Sequence, residues 1–187
     1  MRIITGKFGG RRLTAVPGTK TRPTTDKVKE AMFSMIGPYF DGGQVLDLFA
    51  GTGGLGIEAV SRGCDHAYLV DKQRQAQLVI TQNIAVTKAP EQFTLRRQAA
   101  ETALAEFSAS EQQFDLIFLD PPYRFKIIGT LLTKFVALNL VNDQSLIVAE
   151  TDEAVDLATI PEAYHFVKTH DYGLTHVTVW RYQKETV

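Results

Sequence analysis

The chain has 187 residues, 44% of them hydrophobic, and a formal net charge of −1. This length suits one domain with a substantial buried core. No segment approaches the roughly 20 consecutive apolar residues of a membrane-spanning helix, and basic residues interrupt any signal-peptide core near the N-terminus, so we expect a cytoplasmic protein. The single cysteine, Cys64, excludes an internal disulfide, and the four histidines show no metal-binding spacing, so we expect no metal.

Positive charge is concentrated at the N-terminus. Residues 1–30 contain eight basic and two acidic side chains, a net charge of +6, and the remainder of the chain therefore carries −7. A basic segment on a mildly acidic body is typical of proteins that bind nucleic acid, although a solvated arm without a partner has the same composition. The candidates for contact with a phosphate backbone are Lys7, Arg11, Arg12 and Lys20.

The first predicted elements precede the repeating pattern of the chain. Residues 2–8 and 11–16 flank Gly9-Gly10 and predict a β-hairpin, which we expect to form an N-terminal extension over residues 1–20. A helix is predicted after Thr24 or Thr25, either of which suits its N-cap. We expect the remaining domain to cover residues 21–187.

From residue 44 onward, predicted strands and helices alternate, which indicates a doubly wound, mostly parallel α/β sheet. The strands are expected at 44–50, 67–71, 93–98, 114–119 and 145–151, and the helices at 54–62, 73–87, 99–107 and 126–139. Two further strands, 164–172 and 175–183, face each other across Gly173-Leu174 without an intervening helix.

A glycine-rich loop follows the first strand of this pattern. Gly51, Gly53 and Gly56 satisfy the spacing G-x-G-x-x-G, which permits a tight turn and close approach of the backbone to a ligand. Asp71 lies about 20 residues further on, at the end of the next strand, where an acidic side chain suits a ribose hydroxyl pair. The loop predicts an adenosine cofactor and leaves open whether it is a nicotinamide dinucleotide or S-adenosylmethionine.

The tetrapeptide Asp120-Pro121-Pro122-Tyr123 directly follows the run 114–119, which is apolar except for Asp115. The carboxyl ends of strands are where open α/β sheets bind ligands. Here a carboxylate and a carbonyl can accept both hydrogens of an exocyclic amino group while the tyrosine stacks on the ring. An enzyme that transfers hydride has no need of such an amino-group clamp, whereas one that methylates a base amino nitrogen does.

On these motifs the chain resembles the class I S-adenosylmethionine-dependent methyltransferases with a (D/N)PP(Y/F/W) motif. Residues 2–13 and 22–33 are similar to the N-terminal signature of the bacterial RsmD-type enzymes, which form N2-methylguanosine in small-subunit ribosomal RNA. The resemblance extends from Met1 to about Tyr182. It implies a Rossmann-like fold with a seven-stranded sheet, whose C-terminal hairpin inserts one antiparallel strand. It also implies S-adenosylmethionine as the cofactor and ribosomal RNA, within a small-subunit particle, as the partner.

The resemblance also assigns roles to individual residues. Asp47 would face the methionyl amino group, although an aspartate here can equally cap the N–H groups of the loop. Family members usually hold the adenine edge with an aspartate after the third strand, but this chain has Gln98-Ala99-Ala100-Glu101, so a backbone N–H or Glu101 would take that place. The expected cofactor-binding residues are Arg22, Asp47, Phe49, Gly51, Gly53, Gly56, Asp71, Lys72, Ala100 and Glu101.

The expected reaction is direct in-line methyl transfer to the guanine N2 amino group of an unpaired or flipped-out base. The expected catalytic residues are Asp120, Pro121, Pro122 and Tyr123, and Arg124 and Phe125 would steady the extruded base. Three alternatives remain open at this stage: an adenine-N6 methyltransferase acting on DNA or RNA, an NAD(P)-dependent oxidoreductase, and a non-catalytic RNA-binding protein. Guanine N2 rests on the resemblance alone, and the expected oligomeric state is a monomer.

Overall fold

The computed structural model describes residues 1–18, 26–121, 127–152, 154–173 and 175–184. Helices and strands alternate through these ranges. The helices are α1 Asp26–Ile36, α2 Gly54–Ser61, α3 Arg74–Thr87, α4 Ala100–Ala109 and α5 Ile128–Ala137. The strands are β1 Gln44–Asp47, β2 His66–Val70, β3 Phe93–Arg96, β4 Phe114–Leu119, β5 Val141–Thr151, β6 Tyr164–Asp171 and β7 His176–Tyr182. No helix within the described ranges is long and apolar enough to cross a membrane.

The strands form one seven-stranded sheet in the order β3-β2-β1-β4-β5-β7-β6. Strands β1 to β5 pair in parallel, and β7 runs antiparallel to both β5 and β6. The predicted doubly wound sheet and its inserted antiparallel strand are therefore confirmed. The chain winds outward from β1 to β3 and then returns to β4 on the other side of β1. The carboxyl ends of β1 and β4 thus form the topological switch point at which such sheets bind ligands.

Each face of the sheet is covered by its own apolar core. Because successive strand residues point to opposite faces, Val45 belongs to one core and Leu46 to the other. The first core contains side chains of α1, α2, α3 and the N-terminal segment, and the second contains those of α4 and α5. We call the corresponding surfaces of the sheet the first face and the second face.

The N-terminal segment, residues 1–18, is packed onto the first core. Its predicted hairpin is present as one antiparallel bridge between Arg2 and Arg12, with backbone hydrogen bonds from Ile3 to Arg11 and from Leu13 to Met1 beside it. The side chains of Ile3, Phe8 and Leu13 are buried in the first core. Burying three large apolar side chains favours a docked arrangement over a projecting hairpin, since each contributes roughly 1.5–3 kcal/mol. The predicted extension is therefore built into the core of the domain.

A buried ion cluster fastens this segment to the helices. The Glu58 carboxylate, on α2, accepts hydrogen bonds from the backbone N–H groups of Ile4 and Thr5 at 2.8 and 3.1 Å. It also pairs with Lys29 Nζ at 3.1 Å and Arg62 Nε at 2.8 Å, and all three side chains are buried. The cluster therefore joins the N-terminal segment, α1 and α2 through one carboxylate.

A second polar contact joins the same segment to the glycine loop. The buried side chain of Asn83, on α3, accepts a hydrogen bond from the Thr14 N–H at 2.8 Å. Its amide nitrogen donates to the carbonyls of Thr14 at 3.0 Å and Thr52 at 2.9 Å. Because Thr52 lies within the glycine loop, Asn83 links the position of the N-terminal segment to that loop.

The structure moves some of the predicted boundaries. Strand β5 begins at Val141, four residues earlier than predicted, and its pairing with β4 shifts register between Phe114 and Leu116. Gln144 has a left-handed φ of 67°, so the polar start of β5 contains an irregularity that hides the period of a strand. Helix α1 begins at Asp26, and its predicted caps, Thr24 and Thr25, lie outside the described residues.

Candidate active site

Three acidic residues lie at the carboxyl ends of the adjacent strands β1, β4 and β5, next to the switch point. Asp47 is the last residue of β1 and pairs with Phe118 of β4, and Leu119 of β4 pairs with Ala149 of β5. Asp120 and Glu150 come one residue after this last pair. Phe118 and Val148 belong to the first core, and by strand alternation Asp120 and Glu150 lie on the same first face. We call Asp47, Asp120 and Glu150 the carboxyl row.

Asp47 lies at the inner end of this row. Its side chain is buried, and its Oδ2 accepts a hydrogen bond from the Gly56 N–H at 3.1 Å. Burial raises the pKa of Asp47 to about 7, with a further contribution from Asp71, while the Gly56 hydrogen bond opposes the rise. A positive charge placed beside this carboxyl would stabilise its ionised form. Asp47 therefore both supports the loop and is suited to a cationic ligand.

Gly51 and Gly56 of the loop require glycine for different structural reasons. Gly51 has a left-handed φ of 55°, and a Cβ added there would project into open space. A ligand can therefore approach its backbone closely. A Cβ added at Gly56 would collide with the side chain of Leu69 on β2, so this glycine permits close packing of α2 on the sheet. The first glycine thus provides room for a ligand, and the last serves helix packing.

Asp71 couples the loop to the end of β2. Its Oδ2 accepts a hydrogen bond from the Gly51 N–H at 2.9 Å, and its Oδ1 accepts one from the Gln73 N–H at 2.8 Å. The second contact is the turn role expected of an aspartate before a helix. Each carboxylate oxygen has a further acceptor position, so these contacts leave capacity for a ribose hydroxyl pair. Lys72, the next residue, is exposed at the same edge.

The start of α4 provides hydrogen-bond donors near this edge. The helix begins at Ala100, and its N-cap residue Ala99 makes no side-chain capping bond. The first N–H groups of a helix have no partner within the helix, so they suit an acceptor such as a ring nitrogen of adenine. Phe49 and Ala100 are both partly buried against the second core, whereas Glu101 is exposed.

Asp120 lies in the middle of the carboxyl row. Its side chain retains exposed surface, although many protein atoms surround its carboxyl group. Burial, followed by the charges of Glu150 and Asp47, raises the pKa of Asp120 to about 8. Exposure and a raised pKa together fit a carboxyl group within a cleft that is open on one side. Pro121 is buried, and Pro122, Tyr123, Arg124 and Phe125 lie outside the described residues.

Several of the basic N-terminal side chains are already engaged in contacts within the fold. Lys29 is buried in the ion cluster, and Arg2 pairs with Asp26 at 3.0 Å. Arg11 Nη1 donates to the carbonyls of Val86, at 3.0 Å, and Thr87 at the end of α3. The charge of +6 therefore overstates what a partner can contact.

Lys7 and Arg12 are exposed and remain the described candidates for a phosphate backbone. Arg11, by contrast, uses part of its guanidinium group within the fold. The other two predicted basic residues, Lys20 and Arg22, lie outside the described ranges.

Glu150 is the residue of this site that the sequence interpretation missed. The signal was an acidic side chain directly after the apolar run 146–149, but its position beside Asp120 depends on which strand neighbours β4. Within the part of the chain that the structure describes, no group of three or more His, Cys, Asp or Glu side chains could hold a metal ion. The carboxyl row does not form such a group.

Comparison with known proteins identifies the family. The family model described as "conserved hypothetical protein 95" matches residues 1–181. The Haemophilus influenzae protein named ribosomal RNA small subunit methyltransferase D is 30% identical over 182 residues, which cover 97% of this chain and 93% of that protein. The chain belongs to the RsmD-type family of ribosomal RNA methyltransferases.

Two further proteins agree with this membership. YlbH of Bacillus subtilis, provisionally named an rRNA methyltransferase, is 45% identical over 181 residues, which cover 97% of this chain and 98% of that protein. A solved structure of a conserved hypothetical protein from Streptococcus pyogenes is 47% identical, with a TM-score of 0.78, over 83% of this chain and 96% of that one. Membership in the RsmD-type family supports the predicted cofactor, S-adenosylmethionine, and gives no support to an oxidoreductase.

The described residues fit this cofactor. No protein atom lies within 4 Å of a Cβ added at Gly51, so part of the cofactor could approach the backbone there, and the buried carboxyl of Asp47 suits its cationic methionyl end. Because the ionised Asp47 carboxylate would attract the positively charged cofactor, cofactor affinity should depend on pH. Binding should strengthen as the pH rises through about 7, since only ionised Asp47 attracts the cation.

Replacing Asp47 with asparagine should stabilise the free protein at pH 8 and weaken cofactor binding at least tenfold. A carboxyl whose folded pKa is raised from 3.8 to about 7 costs stability progressively as the pH rises through that window. The cost is up to about 4 kcal/mol, from which the burial of an amide subtracts roughly 1–3 kcal/mol.

Urea unfolding at pH 5 and pH 8, with calorimetric titration of S-adenosylmethionine, measures both effects. The Asp47→Asn variant should gain stability at pH 8 and little at pH 5. The exposed Asp41→Asn variant is the matched control and should change neither quantity. A variant that binds the cofactor as tightly as the wild type would contradict the role given to Asp47.

Proposed function

We propose that this protein transfers a methyl group from S-adenosylmethionine to the N2 amino group of a guanine in small-subunit ribosomal RNA. The observation that carries the proposal is the position of Asp120, at the switch point of the sheet and one strand away from the glycine loop. A base amino group held by Asp120 would lie next to the cofactor held by that loop. Family membership supports ribosomal RNA as the substrate class.

The cofactor supplies an electrophilic methyl group on a positively charged sulfur. The chain must orient a poor nucleophile, because the lone pair of a base amino group is delocalised into the ring. Asp120 and the Pro121 carbonyl would accept hydrogen bonds from its two N–H groups and direct the lone pair at the methyl carbon. As the N–C bond forms, the C–S bond would break, S-adenosylhomocysteine would leave, and one proton would pass from nitrogen to Asp120 or to water. Good alignment of this kind contributes effective molarities of about 10⁵ M or more.

The protonation state of Asp120 follows from its surroundings. With a pKa of about 8 in the free protein, Asp120 is largely protonated at neutral pH and lacks its full capacity to accept hydrogen bonds. A nearby cation lowers the pKa of a carboxyl group. We therefore expect bound S-adenosylmethionine to ionise Asp120 and to complete the acceptor for the amino group. Cofactor binding would thus precede productive binding of the base.

Transfer of labelled methyl to small ribosomal subunits that lack their own modification tests the proposal. Naked ribosomal RNA and duplex DNA are assayed in parallel, and digestion to nucleosides identifies the product. N2-methylguanosine from the ribosomal substrate is expected. N6-methyladenosine, or label in DNA alone, would contradict the proposed substrate. Either result would still be consistent with methyl transfer to the amino group of a base. A preference for subunits over naked RNA would support the assembled particle as the form that is methylated.

Lys7 and Arg12 are expected to contribute electrostatically to binding of the RNA. A Lys7→Ala, Arg12→Ala double variant should bind the substrate less tightly at low salt and show a shallower dependence of affinity on salt. Each lost phosphate contact reduces the logarithmic slope by about 0.7–0.9.

Filter binding at several salt concentrations measures this effect. A Lys134→Ala, Lys184→Ala double variant removes the same charge from exposed positions outside the N-terminal segment. If both double variants change the slope equally, net charge alone explains the effect, and the N-terminal surface has no specific role.

A further inference from the structure

We propose that Glu150 recognises the N1–H of the target guanine and so determines that guanine, and not adenine, is methylated. This inference rests on the proposed function and names the residue that gives it base specificity. It follows from the position of Glu150 in the carboxyl row, beside Asp120 and on the side of β4 opposite to the glycine loop.

The sheet order separates a cofactor side from a base side. Strands β1 and β2 carry Asp47 and Asp71, whereas β5, which carries Glu150, lies beyond β4. Adjacent strands lie about 4.8 Å apart, so the ends of β1 and β5 are separated by roughly 10 Å with Asp120 between them. A base whose reacting amino group lies at Asp120, with the methyl donor on the β1 side, would present its neighbouring ring edge toward β5.

Glu150 is held firmly enough to serve as a recognition group. It is a paired residue of β5, where it faces Val177 of the antiparallel strand β7, and its side chain is half-buried. Backbone pairing on this side fixes its Cα, and partial burial limits its rotamers. The charge of Glu150 also contributes to the raised pKa of Asp120, which indicates that the two carboxyl groups lie near one another.

The hydrogen-bonding pattern of the bases explains the selectivity. Guanine carries two adjacent donors on this edge, the N2 amino group and N1–H, whereas adenine N1 is an acceptor. An ionised glutamate only accepts hydrogen bonds. Glu150 would therefore bind guanine N1–H and repel the lone pair of adenine N1. Sites built around a hydrogen bond to a substrate N–H reject analogues that lack it by up to roughly 10⁴-fold.

The analogue 2-aminopurine tests this assignment. It keeps the N2 amino group that reacts but presents a lone pair at N1. The target position, located from the methylated product, is filled with guanosine or 2-aminopurine riboside in otherwise identical small-subunit substrates. The wild-type protein should show a kcat/KM at least about 100-fold higher for guanine. Equal rates on the two bases in the wild type would overturn the inference without any variant.

The Glu150→Gln variant should reverse this preference in part. Its amide nitrogen can donate to the N1 lone pair of 2-aminopurine, whereas its neutral amide oxygen accepts from guanine N1–H more weakly than a carboxylate does. The kcat/KM should therefore fall by about fivefold or more for guanine and hold or rise for 2-aminopurine. Binding of S-adenosylmethionine should be unchanged. The matched control is Asp152→Asn, which removes one negative charge from an exposed position two residues away. Asp152→Asn should leave the ratio of kcat/KM for guanine to kcat/KM for 2-aminopurine at its wild-type value.

The outcomes separate this inference from the function on which it rests. An equal loss on both bases in Glu150→Gln would mean a general structural effect and would overturn the role in recognition, as would no loss on guanine. Failure of the wild type to form N2-methylguanosine would overturn the proposed function itself. That result is obtained before any variant is compared.

Discussion

Replacing Asp120 with alanine should reduce methyl transfer by about 10³-fold or more. The affinity for S-adenosylmethionine should fall by no more than about tenfold, since the cofactor loses only its attraction to ionised Asp120. The carboxyl group lies in the middle of the row, one strand away from the glycine loop. Its loss removes an acceptor for the amino hydrogens and leaves the loop, Asp47 and Asp71 unchanged. The effect should therefore appear in the chemical step, which depends on the orientation of the amino group.

Single-turnover transfer and equilibrium dialysis with labelled cofactor separate these two quantities for Asp120→Ala. Asp152→Ala, at an exposed position near the end of β5, is the control and should retain transfer. If transfer and cofactor binding fall by the same factor in Asp120→Ala, the carboxyl group would be part of the cofactor site, and its assignment to the base would be wrong.

The Glu58→Ala substitution should destabilise the protein by about 3–5 kcal/mol. It leaves two buried cations, Lys29 and Arg62, without their shared carboxylate. It also leaves the N–H groups of Ile4 and Thr5 without their acceptor. A loss of this size is a large fraction of the stability of a typical domain, and the N-terminal segment should be the first part to detach.

Urea unfolding followed by the fluorescence of the buried Trp180 measures the stability of Glu58→Ala. The exposed Glu30→Ala variant on α1 is the control and should change stability by less than about 0.5 kcal/mol. Limited proteolysis should cleave the N-terminal segment faster in Glu58→Ala than in Glu30→Ala. A loss below about 1 kcal/mol would contradict the anchoring role of Glu58.

Asp120→Ala and Glu58→Ala test different parts of the proposed methyl transfer to RNA. Asp120 belongs to the candidate chemistry, whereas Glu58 holds the segment that presents Lys7 and Arg12. Asn83 joins that segment to Thr52 in the glycine loop. The surface proposed for the RNA and the loop proposed for the cofactor are therefore attached to one another by buried polar contacts.

The sequence by itself determined the features that depend on local pattern. The alternation of apolar runs and amphipathic segments predicted the doubly wound sheet, because strand and helix periods are properties of neighbouring residues. The spacing of Gly51, Gly53 and Gly56 predicted a loop that a ligand can approach. Asp120 could be singled out because its motif is contiguous and directly follows an apolar run.

Only the tertiary structure decided features that join distant residues. Nothing local to Arg11 or Lys29 shows that one binds the end of α3 and the other is buried with Glu58, since both partners are remote in sequence. Likewise, Glu150 became part of the site only through the pairing of β5 with β4. Local periodicity specifies which residues form an element, whereas burial, charge pairing and the composition of the site depend on which elements become neighbours.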